Sequence, residues 1–179
     1  MCHRSGRRSG SRHEYRWRLG RTVHGRASAR KGSAMTMLLP QDGSIPVPQP
    51  GAFSRNYWEG CAEHELRFQR CGQCNGATHT PAVLCAVCAS PALEWERSAG
   101  IGEIYSWTVV WRPATPAFVV PYVPIVVTMA EGWHLLSALV GCEPEAAEIG
   151  MAVEVEFHRG AEGFTLPYFH PVEKLLPKA

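Results

Sequence analysis

Cys71-Gly72-Gln73-Cys74 and Cys85-Ala86-Val87-Cys88 decide how this chain folds. Ten residues separate the two C-x-x-C pairs. Two intervening residues let a tight turn aim both thiolates at one point, and two such turns across a short ribbon place four sulfurs at the corners of a tetrahedron. Gly72 and Gly76 flank the first turn, where positive φ angles and close backbone approach to sulfur are expected. Four thiolates close the coordination sphere of zinc and leave no position for water or substrate. Cys71, Cys74, Cys85 and Cys88 therefore predict a structural Zn(2+) site rather than a catalytic one. Tetrahedral sulfur also suits iron, so the spacing leaves both metals open. Reduced thiols packed as small apolar side chains are a further alternative. A redox pair would sit near a βαβ pattern, which neither pair does. A disulfide framework fits poorly with seven cysteines and no export signal.

Working outward, the charge is unevenly spread. The formal net charge is +2, but residues 1–34 hold ten Lys or Arg against one acid, Glu14. Residues 35–179 hold eight bases against fifteen acids, a net of −7 for the body of the chain. The front segment is rich in Arg, Ser and Gly and cannot bury enough apolar surface to offset ordering entropy, so residues 1–37 read as a disordered Arg-rich extension. A nucleic-acid arm or a targeting peptide would share its basic character, but the amphipathic apolar face of a targeting peptide is missing. An extension upstream of a true start at Met35 or Met37 is the preferred reading. The longest apolar stretch, Ala117 to Val127, is broken by Pro121 and Pro124 and is too short to span a bilayer. A cytoplasmic protein is expected.

Residues 38–66 read as a proline-rich lead-in followed by a helix beginning near Ser54, with Ser54 as its cap and Trp58, Cys61, Ala62 and Leu66 on one face. Residues 67–92 form the ribbon, with His79 as a surface histidine on the return limb. Residues 93–172 turn to short strands: Leu93 to Glu96, a long Ile104 to Trp111, Pro124 to Ala130, His134 to Val140, Ala152 to Arg159 and Phe164 to Phe169. Glu131-Gly132-Trp133 is a hairpin signal, Pro144 to Glu148 a helical turn, and residues 173–179 a tail. Along the long strand Tyr105, Trp107, Val109 and Trp111 should share one side. The fold class is mainly β: a helix, a zinc ribbon and a five-stranded OB-fold barrel.

Taken in order, these residues carry a resemblance. Phe53, Tyr57-Trp58-Glu59-Gly60, Leu66, Gln69-Arg70-Cys71, the remaining zinc cysteines and Glu94-Trp95 are followed by Gly100, Gly102, Ile104 to Thr108 and Ile149 to Phe157. The pattern resembles an acyl-CoA-associated family in which a rubredoxin-like zinc ribbon precedes an OB-fold domain, and it covers roughly residues 53–172. The resemblance implies a non-catalytic accessory subunit that binds or channels acyl-CoA. It would scaffold a thiolase-like or hotdog-fold hydratase partner in lipid, steroid side-chain or polyketide metabolism. Only the four zinc cysteines transfer residue by residue.

The residues themselves agree with that restraint. No nucleophile elbow, phosphate-cradling glycine loop or dinucleotide fingerprint is present. Cys61 and Cys142 read as inert thiols, and His134, His158 and His170 as separate strand residues. A rigid, proline-stiffened loop follows the aromatic strand, and Trp111, Arg112, Phe118 and Tyr122 are its candidate acyl-CoA-binding residues, with Arg112 toward a CoA phosphate. The alternative function is nucleic-acid binding, which zinc ribbons and OB barrels both serve. It requires a cationic groove that a body of charge −7 does not offer. Arg55, Arg67, Arg70, Arg97, Arg112 and Arg159 suffice for one small anion.

Overall fold

The computed structural model describes residues 36–43, 45–160 and 163–173. Nearly all of the basic extension, and most of the tail, lies outside these residues. The elements in chain order are α1 (Arg55–Ala62), β1 (Arg67–Cys71), β2 (Ala77–Thr78), β3 (Leu93–Arg97), β4 (Ile101–Trp107), β5 (Val123–Met129), β6 (His134–Leu139), a 3-10 turn (Pro144–Ala146), β7 (Ala152–Arg159) and β8 (Thr165–Pro171). Strands β2-β1-β3 make a small antiparallel sheet that carries the cysteines. Strands β4-β5-β6-β8-β7 close into a barrel through the β4–β7 pairing, with β6 and β8 parallel. This is the predicted five-stranded barrel.

Strict alternation builds the barrel core. Val123, Ile125, Val127 and Met129 of β5 all point inward, and Ile104, Leu135, Leu139, Val153 and Phe169 meet them from the other strands. The turn at Glu131-Gly132-Trp133 forms as expected, with the Met129 N–H donating to the Trp133 carbonyl at 2.8 Å and Gly132 at φ 86°. Gly102 lets β4 approach β5 closely, because a Cβ there would stand 2.4 Å from the Thr128 carbonyl oxygen.

Several expectations need correction. The long strand begins earlier, at Ile101, and stops at Trp107. Ile104 faces Val127 and Ser106 faces Val126, so Tyr105 is the extra residue of a bulge. The bulge shifts the alternation, so Tyr105 is exposed on the outer side while Trp107, opposite Ile125, falls on the side of Ile104 and is 37% exposed. Only an isolated bridge, Val110 to Tyr122, continues beyond it. Strand β3 pairs along its length with β1, so hydrogen bonding places it in the ribbon sheet rather than the barrel. Helix α1 buries Tyr57, Gly60 and Cys61 with Trp58 half-buried, while Ala62 is exposed. Ser54 starts the helix without a side-chain cap; its hydroxyl instead accepts from the Gly51 N–H at 3.1 Å.

His79 is not a surface residue. Its ring packs 4.7 Å from Trp133 of the barrel hairpin and 5.1 Å from Tyr57 of α1, and Trp133 also stacks on Phe68 of β1 at 5.4 Å. Helix, ribbon and barrel therefore share one core, with Trp133 at its junction. Burial holds the His79 imidazole near a pKa of about 4, below its ordinary 6.5. Between those values the unfolded chain takes up a proton that the folded chain refuses, so the stabilising contribution is full above pH 6.5 and is lost as pH falls toward 4. Chemical denaturation at pH 6.5 and at about pH 5 should show wild type losing roughly 2 kcal/mol more than His79→Phe. Equal losses would place the acid sensitivity elsewhere.

Candidate functional site: a four-sulfur centre and an apolar barrel face

The two cysteine turns share the same two backbone bonds. The Cys71 N–H donates to Gly76 O at 2.9 Å and Cys85 N–H to Ser90 O at 2.8 Å. Asn75 N–H donates to Cys71 O and Ala89 N–H to Cys85 O, at 2.8 and 3.0 Å. The positive φ of each turn falls on Asn75 (59°) and Ala89 (58°), not on Gly72 or Gly76 as the sequence suggested. Gly76 serves by close approach instead: a Cβ there would lie 3.2 Å from the Cys74 sulfur.

These turns bring the sulfurs of Cys71, Cys74, Cys85 and Cys88 within 4.8 Å of one another. The Cys71–Cys88 and Cys74–Cys85 separations are 3.7 and 3.6 Å. A tetrahedron with metal–sulfur bonds of about 2.3 Å has edges of about 3.8 Å, so the donor set fits zinc. Backbone N–H groups of the second turn point at Cys85, with Val87 N at 3.3 Å, and together they lower its thiol to a pKa of about 6. Cys71 is lowered by the same kind of bond from the backbone of its own turn. Amides thus favour the thiolate at Cys71 and Cys85; at Cys74 the Gly76 N–H acts in the same direction, but the neighbouring sulfurs and burial outweigh it and push that thiol up to about 12. Zinc held here supplies cross-linking of the ribbon and no open coordination position. His79 plays no part in the cluster. Cys61 is fully buried, which pushes its thiol up to about 12, and burial also raises Cys142, as expected for unreactive thiols.

The other sequence candidates are placed as follows. Trp111 is 59% exposed and Arg112 is exposed beside it. Phe118 and Tyr122 are half-buried and stack with ring centroids 5.4 Å apart. The Val110–Tyr122 bridge closes their loop, and Gln41 fastens it: its side chain donates to Val119 O at 3.1 Å and accepts from Val119 N at 2.8 Å. Sequence reasoning missed Gln41, since a glutamine in a proline-rich lead-in carries no visible sign of its partner 78 residues away. Arg67, Arg70 and Arg97 are engaged by Glu63, Glu65 and Glu96, which removes half of the arginines considered for an anion. His158 and His170 lie on separate strands, as read, but both reach Glu156: His158 stands two residues along β7, and antiparallel pairing with β8 brings His170 Nδ1 to 3.3 Å from the carboxylate.

The outer side of β4–β6 carries an apolar patch, Tyr105, Val126 and Leu136, among Glu103, Ser106, Thr128 and His134. Tyr105 packs edge-on against His134 at 5.0 Å, Val126 pairs with Leu136, and Leu136 is 73% exposed. A cavity of about 590 Å³ opens beside it where α1 and residues 79–81 approach the barrel, lined by Trp58, Pro81, Val126, His134 and Leu136 among others.

Two family models divide this architecture between them. Residues 58–94 match the rubredoxin-like zinc ribbon domain of ChsH2, and residues 95–158 match its C-terminal OB-fold domain. A DUF35 domain-containing scaffold protein of Methanothermobacter thermautotrophicus is 32% identical over 102 residues, covering 55% of this chain and 76% of that protein. The chain belongs to the ChsH2/DUF35 zinc-ribbon and OB-fold family. The solved structure described as "Ltp2-ChsH2(DUF35) aldolase" superposes with a TM-score of 0.65 at 34% identity, covering 70% of this chain and 98% of the matched one. The "Probable enoyl-CoA hydratase alpha subunit" of Thermomonospora curvata is 36% identical over 126 residues, 69% of this chain. The "3-oxo-4,17-pregnadiene-20-carboxyl-CoA hydratase alpha subunit" of Mycobacterium tuberculosis is 32% identical over 101 residues, 56% of this chain. The chain spans only 40% and 32% of the lengths of those two subunits. No helix among the described residues is long and apolar enough to cross a membrane.

The zinc assignment has a direct consequence. The ribbon sheet has little core of its own, and structural zinc contributes on the order of 10 kcal/mol in small sites. Cys71→Ser and Cys88→Ser should each lose most bound zinc by metal analysis and lose ribbon order by NMR. Cys142→Ser should keep both. Normal zinc content in either of the first two variants contradicts the four-sulfur assignment.

Proposed function

We propose that this chain is a non-catalytic accessory subunit that holds a partner acyl-CoA enzyme, a thiolase-type aldolase first and an enoyl-CoA hydratase second, and binds or channels its acyl-CoA. The observation that carries the reading is the apolar patch on the outer side of β4–β6, where Tyr105 and Leu136 stand in solvent beside half-buried Val126 on a barrel whose core is already complete. Side chains of this kind, clustered around a cavity, mark interfaces. The relatives support the choice of partner: two are named as hydratase alpha subunits, three as scaffold proteins, and one solved neighbour is an assembly with an aldolase.

Chemistry within the chain supports an accessory role. The polar clusters among the described residues include the closed sulfur site, arginine–carboxylate pairs, the Glu156 pair of histidines and buried Ser98, which donates to Glu131 at 3.0 Å. Glu131 also accepts the Ala99 N–H and Ser98 the Gly100 N–H, so that pair braces the turn between β3 and β4, and none of the clusters sets an accessible nucleophile beside an oriented base. Trp111, Arg112, Phe118 and Tyr122 are proposed to receive the acyl-CoA. Gln41 and the Val110–Tyr122 bridge hold their loop in place, so little ordering entropy is lost on binding. Arg112 would meet a CoA phosphate as Trp111 and the Phe118–Tyr122 stack line the acyl path. Lipid, steroid side-chain or polyketide metabolism is the proposed setting.

Co-expression with a thiolase-type aldolase or a hydratase from the same organism should yield a stable complex burying on the order of 1,000 Å² or more. Leu136→Glu should break that complex while leaving zinc content unchanged; a complex that survives it would move the interface off this side of the barrel. Calorimetry with a long-chain acyl-CoA should show Arg112→Ala binding more weakly by about tenfold or more, as expected for one charged hydrogen bond. Equal affinity would remove the loop from the acyl-CoA site.

A further inference from the structure

The zinc turns present a second surface with a chemistry of its own. From Cys71 to Leu93 the sequence contains no Asp, Glu, Lys or Arg. Within this run Val83, Leu84 and Val87 are 58%, 48% and 71% exposed. Cys74 and Cys88 face outward, whereas Cys71 and Cys85 are buried.

Four thiolates on one divalent cation carry a formal charge of about −2. Nothing in the uncharged run balances it. Arg70, at the root of the first turn, is engaged by Glu96 at 3.1 Å and by the Asn75 carbonyl at 3.2 Å. Glu94 and Glu96 of β3 add negative charge beside the ribbon. The sulfurs of Cys74 and Cys85 accept backbone N–H groups from Gly76 and Val87, at 3.4 and 3.3 Å. Cys88 is an exposed residue whose sulfur receives no N–H from any described residue; its close contacts are the other sulfurs of the cluster, Cys71 at 3.7 Å among them.

We propose that Val83, Leu84, Val87 and the Cys88 sulfur form a second docking surface for the partner enzyme. The enzyme meets it with apolar side chains and a Lys or Arg that donates to that sulfur. This inference rests on the accessory reading above and adds a surface and a recognition chemistry to it. Charge selects the occupant. A second copy of the chain would bring two sites of about −2 together, and nucleic acid or an anionic lipid surface would be repelled. A protein surface with a basic group beside apolar side chains is attracted, and its charge-assisted hydrogen bond would be shielded by the aliphatic cluster.

The test uses the full chain and the aldolase or hydratase with which it forms a complex. Leu84→Glu and Val87→Glu, made separately, are exposed changes that leave all four cysteines in place, and zinc content with circular dichroism checks their folding. Each is expected to weaken the complex about tenfold or more by calorimetry, and the unmodified complex to weaken as salt rises. A complex that tolerates both variants within about twofold overturns this inference alone. Failure of the unmodified chain to bind either enzyme overturns it together with the accessory reading.

Discussion

Coordination by four sulfurs is the constraint on which the rest of the structure depends. Residues 71–93 contain one two-residue strand and two tight turns, and without a metal they have too little apolar contact to oppose chain entropy. Once the turns are tied, β1 and β3 can pair over five residues and Phe68 is presented to Trp133 of the barrel. His79 closes the same junction from the return limb and meets Tyr57 of the helix. The metal fixes the ribbon, the ribbon fixes Phe68 and His79, and those rings orient the helix against the barrel.

Much of this was legible in the chain because the signals were local. The cysteine spacing, the alternation of Val123 to Met129 and the turn at Gly132 each depend on near neighbours in sequence. What escaped depended on distant partners. Strand β3 reads the same whether it joins the ribbon or the barrel, and only its pairing with β1 decides. The bulge at Tyr105 follows from registry with β5, which no single-strand pattern records. His79 gave no sign of burial because its neighbours, Tyr57 and Trp133, lie 22 and 54 residues away. Gln41 and Glu156 are the same case, their roles being set by loop 112–122 and by the pairing of β7 with β8. The zinc cysteines were therefore found residue by residue, whereas the polar pairs were not.

The functional account joins three surfaces with different chemistry. The barrel side around Leu136 is aromatic and aliphatic, the loop of Trp111 and Arg112 pairs a cation with rings, and the zinc turns are aliphatic around a half-exposed sulfur cluster. The body's net of −7 disfavours polyanions at each of them, and three arginines are engaged in ion pairs. An acidic scaffold with rigid apolar contact areas suits a permanent enzyme partner, in which association removes apolar surface from water and charge sets orientation.

Hydrogen–deuterium exchange of the chain alone and in complex with the proposed aldolase or hydratase partner tests the central claim most directly. The account predicts slower exchange in residues 104–107, 134–137 and 83–88 on complex formation, with the Glu154–His158 stretch of β7 unchanged. Unaltered exchange in both the barrel face and the zinc turns, with the enzyme at saturating concentration, would contradict it.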